Sequence, residues 1–184
     1  MFHIQTQMLP QWTGQAASAM KLAYAMLADA ADVGAGDKLN IIGGDFDTIE
    51  APSFPAVQPK LALVAKLHFE TSDFAQADAL PRDSSTGNLL HEFRIQCFEP
   101  DGETLVFAGV VAINLASIPT MPGLMPRFLV TANFPPLVFR VEGIYTWHLF
   151  WDGEQLGTLS VQVKEPAHPD ADHASDVEVS HGAR

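Results

Sequence analysis

With 184 residues, of which 47% are hydrophobic, the chain is long enough for one domain with a full core and too short for two. Its apolar runs fall well short of a membrane span, so no membrane partner is expected. Ten Lys and Arg residues against 22 Asp and Glu residues give a net charge of -12. A body this acidic repels phosphate backbones and anionic lipid surfaces, so no nucleic-acid partner is expected either.

The two ends of the chain differ in composition from its middle. Residues 1–19 carry no charged side chain, and residues 166–184 are a low-complexity stretch of Ala, Asp, His and Ser. Such stretches bury too little apolar surface to offset the entropy lost on ordering. We therefore predict one domain over residues 20–165 and a disordered acidic, histidine-containing tail over residues 166–184. Residues 1–19 are predicted to be either a disordered leader or an artefact of start-site choice, because Met20 also resembles a natural start.

The cysteine content and the leader indicate the compartment. Residues 1–19 have neither the positive charge nor the continuous apolar run of a signal peptide. Cys97 is the only cysteine of the chain, so an internal disulfide is impossible. Both features predict a cytoplasmic protein.

The middle of the chain alternates polar and apolar residues with a period of two, which is typical of β-strands. In chain order, the predicted strands are KLAYAMLA, KLNIIGG, KLALVAKLHFE, HEFRIQCF, TLVFAGVVAINLA, RFLVTANF, GIYTWHLFW and TLSVQV. The fifth of these is apolar on both faces, which favours a central strand. Helix is favoured only at Ser72–Leu80, for a turn or two. Turn residues at Glu99–Glu103 and at Asp152-Gly153 predict two hairpins.

Seven or eight short strands with Pro- and Gly-rich connections predict an all-β fold. The expected architecture is an antiparallel β-sandwich of immunoglobulin-like or C2-like type, with flexible extensions at both ends. Strand parity places three groups of side chains in its core. These are Leu61, Leu63, Ala65, Leu67 and Phe69; then Phe93, Ile95 and Cys97; and finally Tyr145, Trp147, Leu149 and Trp151, facing Leu159, Val161 and Val163.

No catalytic, cofactor or metal site is predicted. Gly43-Gly44 leads into prolines instead of a helix, so the pair bends a strand or allows close backbone approach, and does not cradle a phosphate. His68, His91 and His148 lack the spacing of metal ligands and are interpreted as ordinary strand histidines. The Asp and His residues of the tail lack fixed geometry.

Two alternatives keep an active or metal-binding role open. Paired carboxylates for sugar chemistry need not be close in sequence, so a small hydrolase or sugar-active enzyme with a carboxylate site at one end of the sandwich remains possible. Several aspartates lie near strand ends, where a C2-like module gathers calcium ligands, although EF-hand spacing is absent. They are Asp29, Asp32, Asp37, Asp45, Asp47, Asp101 and Asp152.

The segment ASIPTMPGLMPRF is unusual for a surface loop. It carries no charge before Arg127, yet it holds four large apolar side chains among three prolines. These side chains are Ile118, Met121, Leu124 and Met125. They either cap their own sandwich or form a contact surface for another chain. We favour the contact surface, since the prolines restrict the loop and lower the ordering cost of binding.

Parts of the chain resemble a known family. The stretch LAYAMLADAADV, the stretch DKLNIIGGDFDTIEAPSFPA and the closing GIYTWHLFWDGEQLGTLSVQV are similar to an uncharacterised bacterial family of single-domain β-sandwich proteins, known as a domain of unknown function. The resemblance spans about residues 20–164. It implies the fold and a bacterial origin, and it implies no active-site residues.

These observations lead to one functional hypothesis. The chain is expected to be a non-catalytic binding or assembly module of a bacterial cytoplasmic protein, with a protein partner or a homo-oligomer. The enzyme and the calcium-dependent module are the alternatives.

Overall fold

The computed structural model describes residues 20–36, 38–70, 90–115, 118 and 124–167 of the chain. Every regular element within these residues is a β-strand except for a single 3-10 residue at Leu115. The strands are β1 (Lys21–Gly34), β2 (Lys38–Gly44), β3 (Thr48–Glu50), β4 (Ala56–Gln58), β5 (Ala62–His68), β6 (Leu90–Phe98), β7 (Leu105–Asn114), β8 (Arg127–Asn133), β9 (Leu137–Phe139), β10 (Gly143–Trp151) and β11 (Glu154–Lys164). No helix in this part of the chain is long and apolar enough to cross a membrane.

The predicted all-β fold is confirmed, but the predicted strand count is wrong. The described residues form eleven strands, not seven or eight. The additional strands β3, β4 and β9 have three residues each and lie within the proline-rich connections. Three residues are too few to display a period of two, so hydrophobic patterning does not reveal them. The predicted leader, the tail from residue 168 onwards and the predicted helical turn at Ser72–Leu80 lie outside the described residues.

The strands form two main sheets and one small sheet. The four-stranded sheet has the order β2-β1-β5-β8, and the five-stranded sheet has the order β3-β11-β10-β6-β7. All pairs in them are antiparallel except β3 with β11, and β4 pairs with β9 in the small sheet. The chain therefore crosses between the sheets several times, as expected for a sandwich.

The core lies between the two main sheets, where the period-two pattern places it. In β5 the side chains of Leu63, Ala65 and Leu67 are fully buried. Across the core, Tyr145 and Trp147 of β10 are fully buried as well. Strand parity therefore assigned the inward faces correctly.

A second, smaller cluster covers the opposite face of the four-stranded sheet. Ala62 and Val64 of β5 are fully buried there beside Ala28 of β1. Tyr24 and Met26 pack against this cluster. Because β5 is buried on both faces, it is a central strand. The sequence pattern had predicted this position for the segment TLVFAGVVAINLA instead.

Strand β7, predicted as a central strand, is an edge strand. It ends the order of the five-stranded sheet and pairs with β6 alone among the described strands. Leu105 and Val110 are 49% and 55% exposed. The prediction failed because apolar side chains on both faces show only that a strand can bury both faces. They do not show which strands pair with it, and this pairing decides its position in the sheet.

A tyrosine anchors the start of β10. The Tyr145 hydroxyl donates to the carbonyl of Val141 at 2.8 Å and accepts from the Val141 N–H at 3.2 Å. Burial raises the pKa of Tyr145, so the hydroxyl keeps the proton that it donates. The arrangement is similar to the tyrosine corner of immunoglobulin-like sandwiches, in which a buried hydroxyl fixes the turn before a strand.

Gly43 confirms the predicted close approach at the end of β2. Its φ is +57°, and a Cβ at this position would collide with the Asp29 carboxylate of β1. Asp45 follows with a φ of 62°, and its N–H donates to the Leu27 carbonyl at 2.9 Å. The glycine thus serves the packing of the β1–β2 hairpin, and the strand that follows is β3 instead of a helix that could hold a phosphate.

Candidate interaction surface

Strand β7 presents an uncharged apolar edge. None of its ten residues is charged. Its outer face carries Leu105, Ala108, Val110 and Ala112, all exposed. Edge strands offer unpaired N–H and C=O groups to other chains, and proteins commonly protect them with charges, prolines or short length. The ten residues of β7 provide none of these protections themselves, although β7 contacts β9 of the small sheet.

Two charges of β6 beside the outer face of β7 pair with each other. Val110 lies opposite Arg94 of β6, and Ala112 lies opposite Glu92. The Arg94 guanidinium donates to the Glu92 carboxylate at 3.2 Å. The start of β7 is less neutral, because Asp101 and Glu103 are exposed in the turn before it.

An aromatic contact in the core links β7 to the end of β8. The Phe107 ring of β7 lies 4.7 Å from the ring of Phe134, which directly follows β8. Leu124 and Met125 precede β8, at the opposite end of that strand from Phe134, so this contact does not place them beside the outer face of β7.

The predicted contact segment is divided between the core and the surface. Ile118 is 5% exposed and packs in the core, with its N–H donating to the Leu115 carbonyl at 3.0 Å, so it does not belong to an exposed surface. Leu124 and Met125 are 65% and 55% exposed. Met121 lies outside the described residues. The segment therefore anchors itself at Ile118 and presents Leu124 and Met125 to solvent.

The polar pair between buried His91 and the more exposed Asp152 was not predicted. The Nδ1 of His91 lies 2.6 Å from Oδ2 of Asp152, and Oδ1 of Asp152 accepts from the Glu92 N–H at 2.9 Å. The Asp152 N–H donates in turn to the Glu92 carbonyl at 3.0 Å. These bonds fasten the β10–β11 turn to the start of β6. The sequence contained one signal of the burial of His91. His91 and Phe93 are two residues apart in a strand, so their side chains lie on the same inward face.

The surroundings of His91 favour a structural role for it. The imidazole is 5% exposed and stacks on the Trp151 ring at 5.0 Å. A carboxylate on Nδ1 is the arrangement that orients a general base, but a base must reach the proton that it removes. The Nε2 atom of His91 is enclosed, without a hydrogen-bond partner among the described residues. The pair therefore acts as a clamp on the turn.

The lone cysteine is not a nucleophile in the folded protein. Cys97 is fully buried, and burial raises the pKa of its thiol from 9.0 to about 12. The thiolate is the reactive form of cysteine. We expect Cys97 to resist a thiol reagent at neutral pH until the protein unfolds, which can be measured by the rate of labelling in and out of urea.

The same pKa predicts how stability changes in alkali. Between pH 9.0 and about 12 the unfolded chain loses the Cys97 proton while the folded protein keeps it. The free energy of unfolding should therefore fall as the pH rises through this window. A Cys97→Val variant should show a shallower decline than the parent protein. Equal slopes for the two proteins would contradict the assigned burial.

Asp37, one of the predicted calcium ligands, lies outside the described residues, and the others do not converge within the described part of the chain. Within it, no group of three or more His, Cys, Asp or Glu side chains is placed to hold a metal ion. Asp101 instead stabilises its own turn: it accepts from the N–H groups of Glu103 and Thr104 and from the Thr104 hydroxyl. These bonds, the hydroxyl bond foremost, lower the pKa of Asp101.

The described residues define an all-β sandwich whose strand β7 carries exposed apolar side chains. The chain belongs to the family of unknown function DUF6941, whose model matches residues 23–164. The resemblance to an uncharacterised family is thus confirmed. None of the curated proteins that were compared with the chain matches it.

Two solved structures show a weak similarity to the chain. The alkylpurine DNA glycosylase AlkC of Pseudomonas fluorescens, bound to DNA containing an abasic site analogue, is 12% identical with a TM-score of 0.42, over 80% of this chain and 31% of that protein. The chain thus spans about a third of the length of the glycosylase. An immunoglobulin-like protein of Pseudomonas aeruginosa is 14% identical with a TM-score of 0.32, over 80% of this chain and 99% of that protein.

Proposed function

We propose that this protein is a non-catalytic binding or assembly module of a bacterial cytoplasmic protein, and that it acts by contact with other protein chains. Neither nucleic acid nor a membrane is its partner, because the net charge of -12 opposes both. One observation carries the proposal: Leu124 and Met125, two large apolar side chains adjacent in sequence, are 65% and 55% exposed. Such concentrations mark interaction sites in soluble proteins.

The chemistry of the exposed segment supports binding. Leu124 and Met125 follow prolines at positions 119 and 122 and directly precede Pro126, and prolines restrict the backbone. A restricted loop loses less conformational entropy when it binds. Methionine adapts its shape to different apolar partners. Ile118 holds one end of the segment in the core, so the exposed side chains are presented from a fixed point.

A double substitution in this segment tests the proposal. We expect Leu124→Asp/Met125→Asp to abolish capture of specific partner proteins from a bacterial lysate, because two carboxylates cannot be buried at an apolar interface. The melting temperature should stay close to that of the parent protein, since both side chains are exposed. Capture is measured by affinity purification and mass spectrometry, and stability by thermal melting.

Ile42→Asp is the matched control. Ile42 is 67% exposed but lies on β2, at the opposite edge of the four-stranded sheet from β8. It should leave both capture and melting unchanged. If the double variant captures the same proteins as the parent, the segment is not a binding surface. If its melting temperature collapses instead, Leu124 and Met125 only cap their own core.

A further inference from the structure

We infer that the proposed contact surface binds an acidic segment of its partner protein, whose carboxylates pair with basic side chains next to Leu124 and Met125. These basic side chains are Lys21, His68 and Arg127, which we call the basic row. The inference rests on the proposed function and specifies the chemistry of the partner.

Strand pairing places the three residues of the basic row side by side. Lys21 of β1 lies opposite His68 of β5, and His68 lies opposite Arg127 of β8. Paired residues share one face of a sheet. Neighbouring strands are about 4.8 Å apart, so the row spans about 10 Å. It lies on the outer face of the four-stranded sheet, because Leu67 and Phe69, on either side of His68, are fully buried in the core.

A fourth basic side chain lies next to the row. Lys66 precedes His68 by two residues on β5 and therefore shares its face. The Nζ atom of Lys66 lies 5.9 Å from the centre of the Tyr24 ring, and Tyr24 and Leu129 are its partners on the two neighbouring strands. The ammonium group is thus flanked by apolar side chains. Such surroundings suit a partner segment that carries both carboxylates and apolar groups.

The charge around the basic row is opposite to that of the whole chain. Acidic residues outnumber basic ones by 22 to 10 in the chain. Beside the row, the described residues include Lys21, Lys66 and Arg127 but one acid, Glu70, whose carboxylate lies 3.4 Å from the Lys21 ammonium. The sequence that leads into the row adds no charge, because residues 1–20 and 104–126 contain no Asp, Glu, Lys or Arg. An acidic segment is therefore attracted to this end of the sheet.

Arg127 connects the basic row to the proposed contact surface. Its side chain is exposed and forms no ion pair with any described residue. A guanidinium binds a carboxylate through two parallel hydrogen bonds. The preceding residue is fixed, since the Pro126 carbonyl accepts from the Phe69 N–H at 2.9 Å. Leu124 and Met125 come directly before Pro126, so a segment that pairs with Arg127 also reaches these two apolar side chains.

A short acidic segment fits the basic row better than an extended polyanion does. The row is about as long as three residues of extended chain. DNA and anionic membranes extend far beyond it, and they meet the rest of a chain whose net charge of -12 repels them. A short segment contacts the row without approaching the acidic remainder.

Fluorescence anisotropy tests the inference with a labelled peptide rich in Asp, Glu and Leu. The parent protein should bind this peptide, and the affinity should fall as the salt concentration rises. Arg127→Glu should weaken binding at least about tenfold, because it removes a charge-assisted contact. Lys38→Glu is the matched control. It makes the same change in net charge at an exposed residue opposite Gly34, at the far end of β1 from Lys21, and it should leave the affinity unchanged.

Four outcomes would overturn the inference. One is a parent protein that binds a peptide with Lys in place of Asp and Glu as tightly as the acidic peptide, and another is an Arg127→Glu variant that binds no more weakly than Lys38→Glu. The third is displacement of the peptide by a DNA duplex or by phosphatidylserine vesicles. Finally, replacing the four carboxylates of residues 168–184 by amides should not change the affinity. Tighter binding by that variant would mean that the chain's own tail occupies the row.

A second variant separates this inference from the proposed function. Leu124→Asn/Met125→Asn removes the apolar side chains without adding charge, so it should weaken peptide binding but keep its salt dependence. Arg127→Glu should instead reduce the salt dependence. If capture from a lysate requires Leu124 and Met125 while Arg127→Glu captures the same proteins as the parent, the binding role stands and the acidic partner is wrong.

Discussion

Replacing Trp147 with alanine should lower the free energy of unfolding by about 3–5 kcal/mol, the usual cost of removing a large aromatic from a core. The Trp147 side chain is fully buried at the centre of the five-stranded sheet. Its ring stacks on that of Phe134 at 4.9 Å and lies 6.3 Å from the ring of Phe107. It faces Leu159 on one neighbouring strand and Cys97 on the other. The measurement is urea denaturation followed by far-ultraviolet circular dichroism.

Trp147→Phe is the control for this substitution. It keeps an aromatic ring between Phe134 and Phe107, and it removes the indole N–H, which is buried without a partner among the described residues. Losing an unsatisfied donor offsets part of the lost packing. We expect Phe to cost less than half of what Ala costs. An alanine variant as stable as the parent would place this aromatic face outside the core.

The inward faces of the long strands could be predicted because burial follows a period of two there. The hairpin of β10 and β11 is the clearest case: its turn residues Asp152 and Gly153 have positive φ values of 46° and 89°. Asp-Gly is a strong hairpin signal for this reason. The three short strands gave no such signal, since their pairing depends on contacts with distant parts of the chain.

The candidate surface could be predicted only in part. Ile118 and Leu124 occur in the same uncharged segment, and composition treats them alike, yet one lies in the core and the other in solvent. Which side chain is buried depends on how the loop crosses from β7 to β8. The exposure of Val110 was also hidden, because an apolar strand looks the same whether it lies at the centre of a sheet or at its edge.

The His91–Asp152 pair could not be predicted because its partners are 61 residues apart. The contact depends on the antiparallel pairing of β6 with β10, which brings the start of one strand to the end of the other. Sequence spacing contains no information about that pairing. From the sequence, His91 was interpreted only as a strand residue and Asp152 only as a turn residue.

Removing the Asp152 side chain should cost almost as much as removing Trp147. We expect Asp152→Ala to lower the free energy of unfolding by about 2–4 kcal/mol, since it leaves the buried Nδ1 of His91 and the N–H of Glu92 without their acceptor and forces alanine into the left-handed region. Asp152→Gly relieves the backbone strain but still removes both acceptors, and Asp152→Asn keeps one acceptor and tolerates the positive φ. The expected order of stability, measured by urea denaturation, is parent, Asn, Gly, Ala. If Asp152→Gly unfolds at the same urea concentration as the parent protein, the hydrogen bonds to His91 and Glu92 contribute nothing, and the turn is held by its backbone alone.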